Sequence, residues 1–562
     1  MRKLERLKEH GVITALDLHF ANLMNQLDGR ECSELALAAA LTSNACGKGD
    51  VCLNLSAVAG EANPEFEAWL PLLKASPIIG KPGEEKPLIL DADGRLYLHR
   101  YWCYETALAA QLLALANEQV DSGEHQLDKL FPVEGSAVNW QREAAKTALS
   151  QRLCIISGGP GTGKTSTVVK ILALLRLQSG GDSLRIALAA PTGKAAARMQ
   201  ESIHCASERL DETLFKSLPS QASTLHRLLG VIPNSHRFRH NRDNPLPVDL
   251  LIVDEASMID LALMAKLVDA LPPHARLILL GDRDQLASVE AGAVLGDICA
   301  GVGTNAPLAS CIVLLKQSYR FSDESGIGRL ASAINQGDSN QVMRLLDDES
   351  ITDINQIHER ETALQQATSA YANYLKLVAA ARPWPELFTA FNHFRLLTAR
   401  RTGPSGAVRL NQEIEQRLRR QGIIPTHGEW YPGRPVMITR NDYNLHLYNG
   451  DLGIALPLEG ELMLTLPSGN ESFTQITPAR LPEHETAYAM TVHKSQGSEF
   501  DQVLLVLPSE ESQLLSRELL YTGITRARQR VSLSAATPIL QSACKRKIRR
   551  SSGLMQRLWS YQ

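Results

Sequence analysis

No Cys-x-x-Cys pair occurs in this 562-residue chain, whose nine cysteines are odd in number and come no closer than Cys46 and Cys52. That spacing argues against a disulfide framework and against a cysteine-bound zinc or iron–sulfur centre. Such scattered cysteines are mostly small buried apolar residues. An excess of charge is also missing, because 58 Lys and Arg against 61 Asp and Glu leave a net charge of −3. Any grip on nucleic acid must therefore come from a local basic groove. Long apolar runs are lacking too: residues 107–116 include Gln111 and are too short to span a bilayer. The first eight residues are charged throughout, without the apolar core and cleavage site of a signal peptide. These absences, with no long repeat or low-complexity tract, point to a soluble cytoplasmic protein with no membrane partner. Single cores stop growing at roughly 250–300 residues, so three or four domains are expected.

What the chain does contain is a complete phosphate-binding loop, Gly158-Gly159-Pro160-Gly161-Thr162-Gly163-Lys164-Thr165. It follows the apolar run Leu153-Cys154-Ile155-Ile156 and opens a helical stretch from Ser166, which is the strand, loop, helix context the motif requires. Glycines there let successive backbone N–H groups turn inward on the β-phosphate, and the helix N-terminus adds partial positive charge. Lys164 reaches the β- and γ-phosphates and Thr165 ligates Mg²⁺. Val253-Asp254-Glu255-Ala256 follows downstream. Asp254 would hold the Mg²⁺ shell and Glu255 would polarise the attacking water. The pair of motifs makes the chain an ATP-binding NTPase.

Short apolar runs at 154–157, 186–190, 250–253, 277–280 and 312–315 alternate with helical stretches, the pattern of an α/β domain with a parallel sheet. A second series at 394–398, 503–507 and 531–533 has no phosphate loop of its own. Two such domains sharing one nucleotide site place ATP in the cleft between them. The first 117 residues lean helical, and the polar stretch 117–125 reads as a linker. A Pro- and Asn-punctuated basic segment at 231–247 fits a hairpin insert, and 432–478 fits a small all-β insert. Gln285 follows a strand and faces the crevice, where its amide can sense a γ-phosphate; a turn-capping glutamine fits the spacing equally well. Arg320 and Arg526 offer planar forks suited to phosphoryl oxygens, although a surface ion pair is the commoner role of a lone arginine.

The ordered series Pro191-Thr192-Gly193-Lys194, Ser223-Thr224-Leu225-His226, Asp254-Glu255, Gly281-Asp282 through Gln285, Tyr319-Arg320-Phe321, Thr491-Val492-His493-Lys494-Ser495-Gln496-Gly497-Ser498-Glu499 and Tyr521-Thr522-Gly523-Ile524-Thr525-Arg526 resembles the superfamily 1B DNA helicases. Within them it is most similar to the RecD family, the alpha subunits of bacterial exodeoxyribonuclease V. The resemblance covers roughly Asn139 to Arg528 and is weakest over the first 117 residues.

That resemblance implies an α/β fold of two RecA-like P-loop domains, with a small β-hairpin insert, an SH3-like β insert and a helical amino-terminal domain. The implied division is a partner-binding domain at 1–117, a linker at 118–130, motor domains at 131–340 and 341–540, and a basic carboxyl-terminal tail at 541–562. It implies adenine recognition by Gln141, an ATP site built from 158–166 including Ser166, and Gly497 and Glu499 lining the nucleotide cleft. Lys164, Glu255, Gln285, Arg320 and Arg526 become the catalytic set, with both arginines on the γ-phosphate. Pro191, Thr192, Thr224, His226, Thr491, His493 and Lys494 match positions that track single-stranded DNA. Hydroxyls, a lysine and stacking rings suit phosphates and bases without sequence preference. The implied activity is ATP-dependent 5′ to 3′ DNA unwinding within a heterotrimer with RecB and RecC on double-stranded breaks, the nuclease site lying in RecB. Two alternatives remain open: a stand-alone RecD-like helicase, and an ATP-switched scaffold that grips DNA without moving.

Overall fold

The structure, a computed structural model, describes residues 2–60, 63–120, 127–132, 138–178, 184–207, 221–321, 325–442, 444–468 and 472–559. Residues 121–126 of the expected linker fall outside these residues, and its end is the short helix Leu127–Leu130, with Leu127 buried against the first motor domain.

Alternation along the apolar strands builds the first motor domain. Its six-stranded sheet runs Ile312–Leu315, Leu153–Gly158, Arg276–Gly281, Leu250–Val253, Ile186–Ala190 and Ala222–Thr224, with every neighbouring pair parallel. Leu153, Ile155, Leu277 and Leu279 face one buried core, while Cys154, Ile156, Ile278 and Leu280 face another. Both faces are covered, which is why the strands read as unbroken apolar runs.

The second motor domain repeats the plan with five parallel strands in the order Ile354–Ile357, Ala527–Ser534, Phe500–Val506, Phe394–Thr398 and Ala489–Thr491. Helices Gly326–Gln336 and Ser339–Asp347 belong to its core through Ile327, Leu330 and Val342. This body therefore starts near residue 325, earlier than the expected 341.

Between its strands Phe394–Thr398 and Ala489–Thr491 sits an antiparallel five-stranded sheet ordered Phe473–Ile476, Glu461–Pro467, Leu452–Leu458, Pro435–Ile438 and His484–Thr486. Its last strand lies beyond residue 478, because His484–Thr486 pairs back onto Pro435–Ile438 and closes the insert. The 231–247 insert has only the isolated bridges Val231 to Phe238 and Asn241 to Asn244. Lys266 of the first motor domain anchors it by donating to His236 O at 2.9 Å.

Helices dominate the first 117 residues, as expected, but a four-stranded sheet accompanies them: Cys52–Asn54, Arg95–Leu98, Leu88–Leu90 and Ile79–Gly80. Strands of two to four residues leave too short a period-two pattern to be read in sequence. The helix His99–Asn117 shares a core with the first motor domain through Leu108, Leu112 and Leu267. The segment read as a basic tail is packed as well, with Leu554 and Leu558 buried in that same core. Among the described residues, no helix is long and apolar enough to cross a membrane.

Candidate nucleotide site and strand-end loops

Every parallel strand of the first domain delivers its chemistry at its carboxyl end, where open α/β sheets bind ligands. Leu153–Gly158 runs into the phosphate loop, and the helix Lys164–Gln178 starts at Lys164. Gly161 and Gly163 have φ of 78° and 81°, left-handed values that a side chain would strain. Space closes the case, since a Cβ on Gly161 would lie 2.2 Å from Arg320 Cβ and one on Gly163 would lie 2.4 Å from Gln141 Nε2. Lys164 Nζ donates to Gly158 O at 2.6 Å and to Gly159 O at 3.1 Å, folded along the loop it would leave for a phosphate. Thr165 and Ser166 follow in the first helical turn. Gln141 Nε2 donates to Thr162 O at 3.3 Å. Beside it, Trp140, Gln141, Thr162, Leu315 and Tyr319 line a cleft of about 250 Å³.

Asp254 follows the strand Leu250–Val253 and accepts from the Glu255 N–H at 2.8 Å. Burial first, then the neighbouring Glu255 charge, push its carboxyl up to about 6, against the opposing pull of Lys164. A carboxylate short of positive charge in this position fits a divalent cation. Glu255 holds a left-handed φ of 51°, strain of the kind that concentrates at functional sites.

The second domain meets this site through a connected polar network. Gln285 is buried; its Nε2 donates to Asp282 Oδ2 at 3.1 Å while its Oε1 accepts from Arg526 Nη2 at 2.7 Å. Arg526 also donates to Thr522 O and Ser498 O, each at 3.2 Å. Arg320 Nη2 donates to Glu499 Oε1 at 2.6 Å, and its buried Nη1 has no hydrogen-bond partner among the described residues. Burial pulls the Glu499 carboxyl up, but Arg198 and Arg320 outweigh it and hold it down at about 2. Gly497, at φ 70°, passes its carbonyl to Arg198 Nη1 at 3.2 Å. The structure thus brings Gln285, Arg320, Arg526, Gly497 and Glu499 together at the junction beside the phosphate loop.

The seven residues matched to DNA contacts are divided between the domains. Pro191 and Thr192 follow Ile186–Ala190, Thr224 ends Ala222–Thr224, and Thr491 ends Ala489–Thr491. Their hydroxyls already serve the backbone: Thr192 accepts from Ala195 N–H at 3.2 Å, Thr224 from Arg227 N–H at 3.2 Å and Thr491 from Lys494 N–H at 3.3 Å. Each is a turn or cap contact that fixes a loop. His226 lies edge-on to Phe238 of the 231–247 insert, ring centroids 5.7 Å apart. Lys494 Nζ donates to Asn449 Oδ1 of the β insert, and His493 begins the same short turn.

Four residues in this network were not among the expected site residues. Arg198 pairs with Glu499 across the domain junction. Asp282, raised by burial, accepts from Tyr521 Oη at 2.9 Å, and Ser318 Oγ donates to Pro160 O at 3.3 Å. Asp282 and Tyr521 stand inside recognised motifs, which is the signal that points to them. Arg198 and Ser318 have no local pattern to give them away.

Two parallel sheets that share one phosphate loop, with arginines from the junction and the second domain converging on it, define a helicase-type P-loop ATPase. Comparison with known proteins narrows the class. Residues 9–97 match the model of the RecBCD enzyme subunit RecD, N-terminal domain, residues 141–291 an AAA domain, and residues 486–534 a UvrD-like helicase C-terminal domain. The RecBCD enzyme subunit RecD of Mycolicibacterium smegmatis is 41% identical over 99% of both chains. That of Haemophilus influenzae is 38% identical over 82% of this chain and 80% of its own. The ATP-dependent RecD2 DNA helicase of Deinococcus radiodurans is 33% identical over 83% of this chain and 59% of its own. The solved Pif1 helicase from Bacteroides with ADP-AlF3 and ssDNA superposes at a TM-score of 0.41, with 18% identity over 73% of this chain and 94% of that one. The chain belongs to the RecD family and is an ATP-dependent helicase.

Proposed function

We propose that this chain is the 5′ to 3′ DNA-translocating subunit of a RecBCD-type complex with RecB and RecC, working in the cytoplasm on broken double-stranded DNA. The observation that supports the reading is the Arg526–Gln285 contact, which ties the second domain to the strand-end loop of the first beside the phosphate loop. ATP seats its base between Trp140, Gln141 and Tyr319 and its phosphates on the loop 158–165. Lys164 and Thr165 turn from the protein to the nucleotide. The residues fit Mg²⁺, which Thr165 and Asp254 would hold and which would neutralise developing phosphate charge. Glu255 takes the proton of the attacking water. Arg320, with one donor unpartnered among the described residues, and Arg526 stabilise the transferring phosphoryl group.

DNA groups on the first domain, Pro191, Thr192, Thr224 and His226, and on the second, Thr491, His493 and Lys494, then grip in alternation as the junction closes and opens. Each base-pair step opened costs about 1.4 kcal/mol of stacking. The 231–247 insert, braced on His226 through Phe238, is the wedge at the fork. The amino-terminal domain faces RecC or RecB, and strand cutting belongs to RecB.

The deciding experiment compares duplexes carrying only a 5′ or only a 3′ tail, with the chain alone and reconstituted with RecB and RecC in which the RecB motor is disabled. ATP-driven unwinding confined to the 5′-tailed duplex is expected. Unwinding from the 3′ tail would reverse the polarity, and ATP hydrolysis with no unwinding in either setting would leave a DNA-gripping scaffold.

A further inference from the structure

The carboxyl-terminal segment leaves the second motor domain after the helix Thr537–Lys545, whose Ala543 and Cys544 lie in that domain's core. It then crosses to the other side of the junction. Ser551 O accepts from Val51 N–H at 2.8 Å, and Ser551 N–H donates to Asp50 Oδ1 at 2.7 Å. Gly553 N–H and Arg557 Nε each donate to the fully buried Glu105 carboxylate at 2.9 Å. Trp559 Nε1 donates to Asp297 O at 3.0 Å, and its ring fills the space where a Cβ on Gly301 would stand. The segment is a strap that joins all three bodies.

Arg550 occupies the middle of the strap. Its Nη1 donates to Glu290 O at 2.6 Å and Gly292 O at 2.8 Å, and its Nη2 donates to Ser288 O. On the other side Gly49 of the amino-terminal domain presses against the guanidinium, where a Cβ would lie 2.9 Å from Cζ, and Gly49 O accepts from Gly292 N–H at 2.9 Å. The loop held in this way begins at Gln285. Its near end is gripped by the second domain: Leu286 N–H donates to Thr522 Oγ1 at 2.9 Å, and Leu286 O accepts from Gln496 Nε2 at 3.2 Å. Arg550 also reaches His493 electrostatically, which burial first and that charge second hold below the ordinary histidine range. One irregular loop of the first domain is therefore clamped by nucleotide-reading groups at one end and by Arg550 against the amino-terminal domain at the other.

We propose that Arg550 is a positioning residue of the motor: by fixing loop 286–292 it transmits the exchange of contacts at Gln285 to the amino-terminal domain and to the DNA loop at His493. A single guanidinium satisfies three carbonyls here because its donors spread in one plane. A lysine ammonium, a point charge on a flexible stem, can replace only part of that set. Without Arg550 the far end keeps Gly292 N–H on Gly49 O and Leu261 N–H on Ala291 O but loses the bonds that hold the Ser288, Glu290 and Gly292 carbonyls together, and the movement of Gln285 dissipates in the slackened loop.

The inference rests on the DNA-motor reading, and the test separates the two. The full chain, its Arg550→Ala and Arg550→Lys variants, and Glu105→Gln are assayed for ATP turnover with and without oligo(dT), with the KM for ATP. Failure of oligo(dT) to stimulate the parent chain would defeat the DNA-motor reading itself. Given stimulation, Arg550→Ala is expected to lower the stimulation ratio by about fivefold or more, the lower end of coupling between sites, with the KM for ATP within about twofold. Arg550→Lys should recover part of the ratio, and Glu105→Gln, which loosens the strap away from the loop, should lower the melting temperature but keep the ratio. A parent-like ratio in folded Arg550→Ala overturns the proposal. If that variant does not fold, a parent-like ratio in Arg550→Lys does the same.

Discussion

The two motor domains carry the same strand, loop, helix unit and use it for different ends. In the first, Leu153–Gly158 enters a loop with two left-handed glycines and then Lys164 and Thr165 at the helix start. In the second, Phe394–Thr398 enters a loop containing Arg400, Arg401 and Gly403, and the helix Ala407–Arg420 begins with Ala407 and Val408. The strand, loop, helix unit and the all-parallel pairing are shared, though the strand orders differ, and only the first turn can wrap a phosphate. The second domain instead presents Arg526, Glu499 and Thr522 to the junction. In the function proposed above one sheet binds the nucleotide and the other reads its state, which places the asymmetry of two similar halves in the chemistry of one turn.

The largest expected effect strikes the half that binds. Lys164→Gln should lower ATP turnover by at least ~10³-fold, since the phosphate clamp supplies most of the electrostatic catalysis in this class. Its contacts with Gly158 O and Gly159 O are expendable, so the melting temperature should stay at the parent value. Normal turnover in the folded variant would remove the ATP site from this loop. Next comes the reading side: Arg320→Ala should reduce kcat by about 10³-fold, as loss of an arginine finger does, with a smaller change in the KM for ATP. A raised KM with unchanged kcat would assign Arg320 to ground-state binding.

The smallest effect concerns stability. Because the fold raises Asp254 to about 6, the nucleotide-free folded protein holds this proton more tightly than the unfolded chain does. That contribution is fully present below the unfolded carboxylate pKa of about 3.9 and is lost as pH rises through 6. Asp254→Asn should therefore melt higher than the parent by a margin that grows from pH 4 to 6 and is level above it. Added Mg²⁺ should reverse the order at pH 8, by stabilising the parent alone. A margin independent of pH would exclude Asp254 titration as its source.

Most strand positions in both motor domains were legible because both faces of the sheets are buried and the apolar runs are unbroken; the edge strands Ala222–Thr224, Ile354–Ile357 and Ala489–Thr491 were not, being short and only partly buried. The phosphate loop and Asp254-Glu255 were equally legible, since backbone curvature and metal chemistry demand those residue types at short spacing. The sheet around Cys52–Asn54 was not, because its strands are too short to show a period. The packed path of residues 546–559 was hidden for a different reason: a basic composition suggests a solvated tail, and only its partners Glu105, Asp50 and the loop carbonyls reveal it as a strap.

By itself, the sequence determined that this protein has two parallel α/β bodies and one phosphate loop, because those features depend on neighbours along the chain. Tertiary structure alone decided that Arg198, Arg320 and Arg528 would meet on Glu499, that Gln285 would bridge to Arg526, and that Arg550 would hold the loop between them. These contacts join residues far apart in sequence, and their partners are set by how the two sheets dock. No local spacing encodes that geometry.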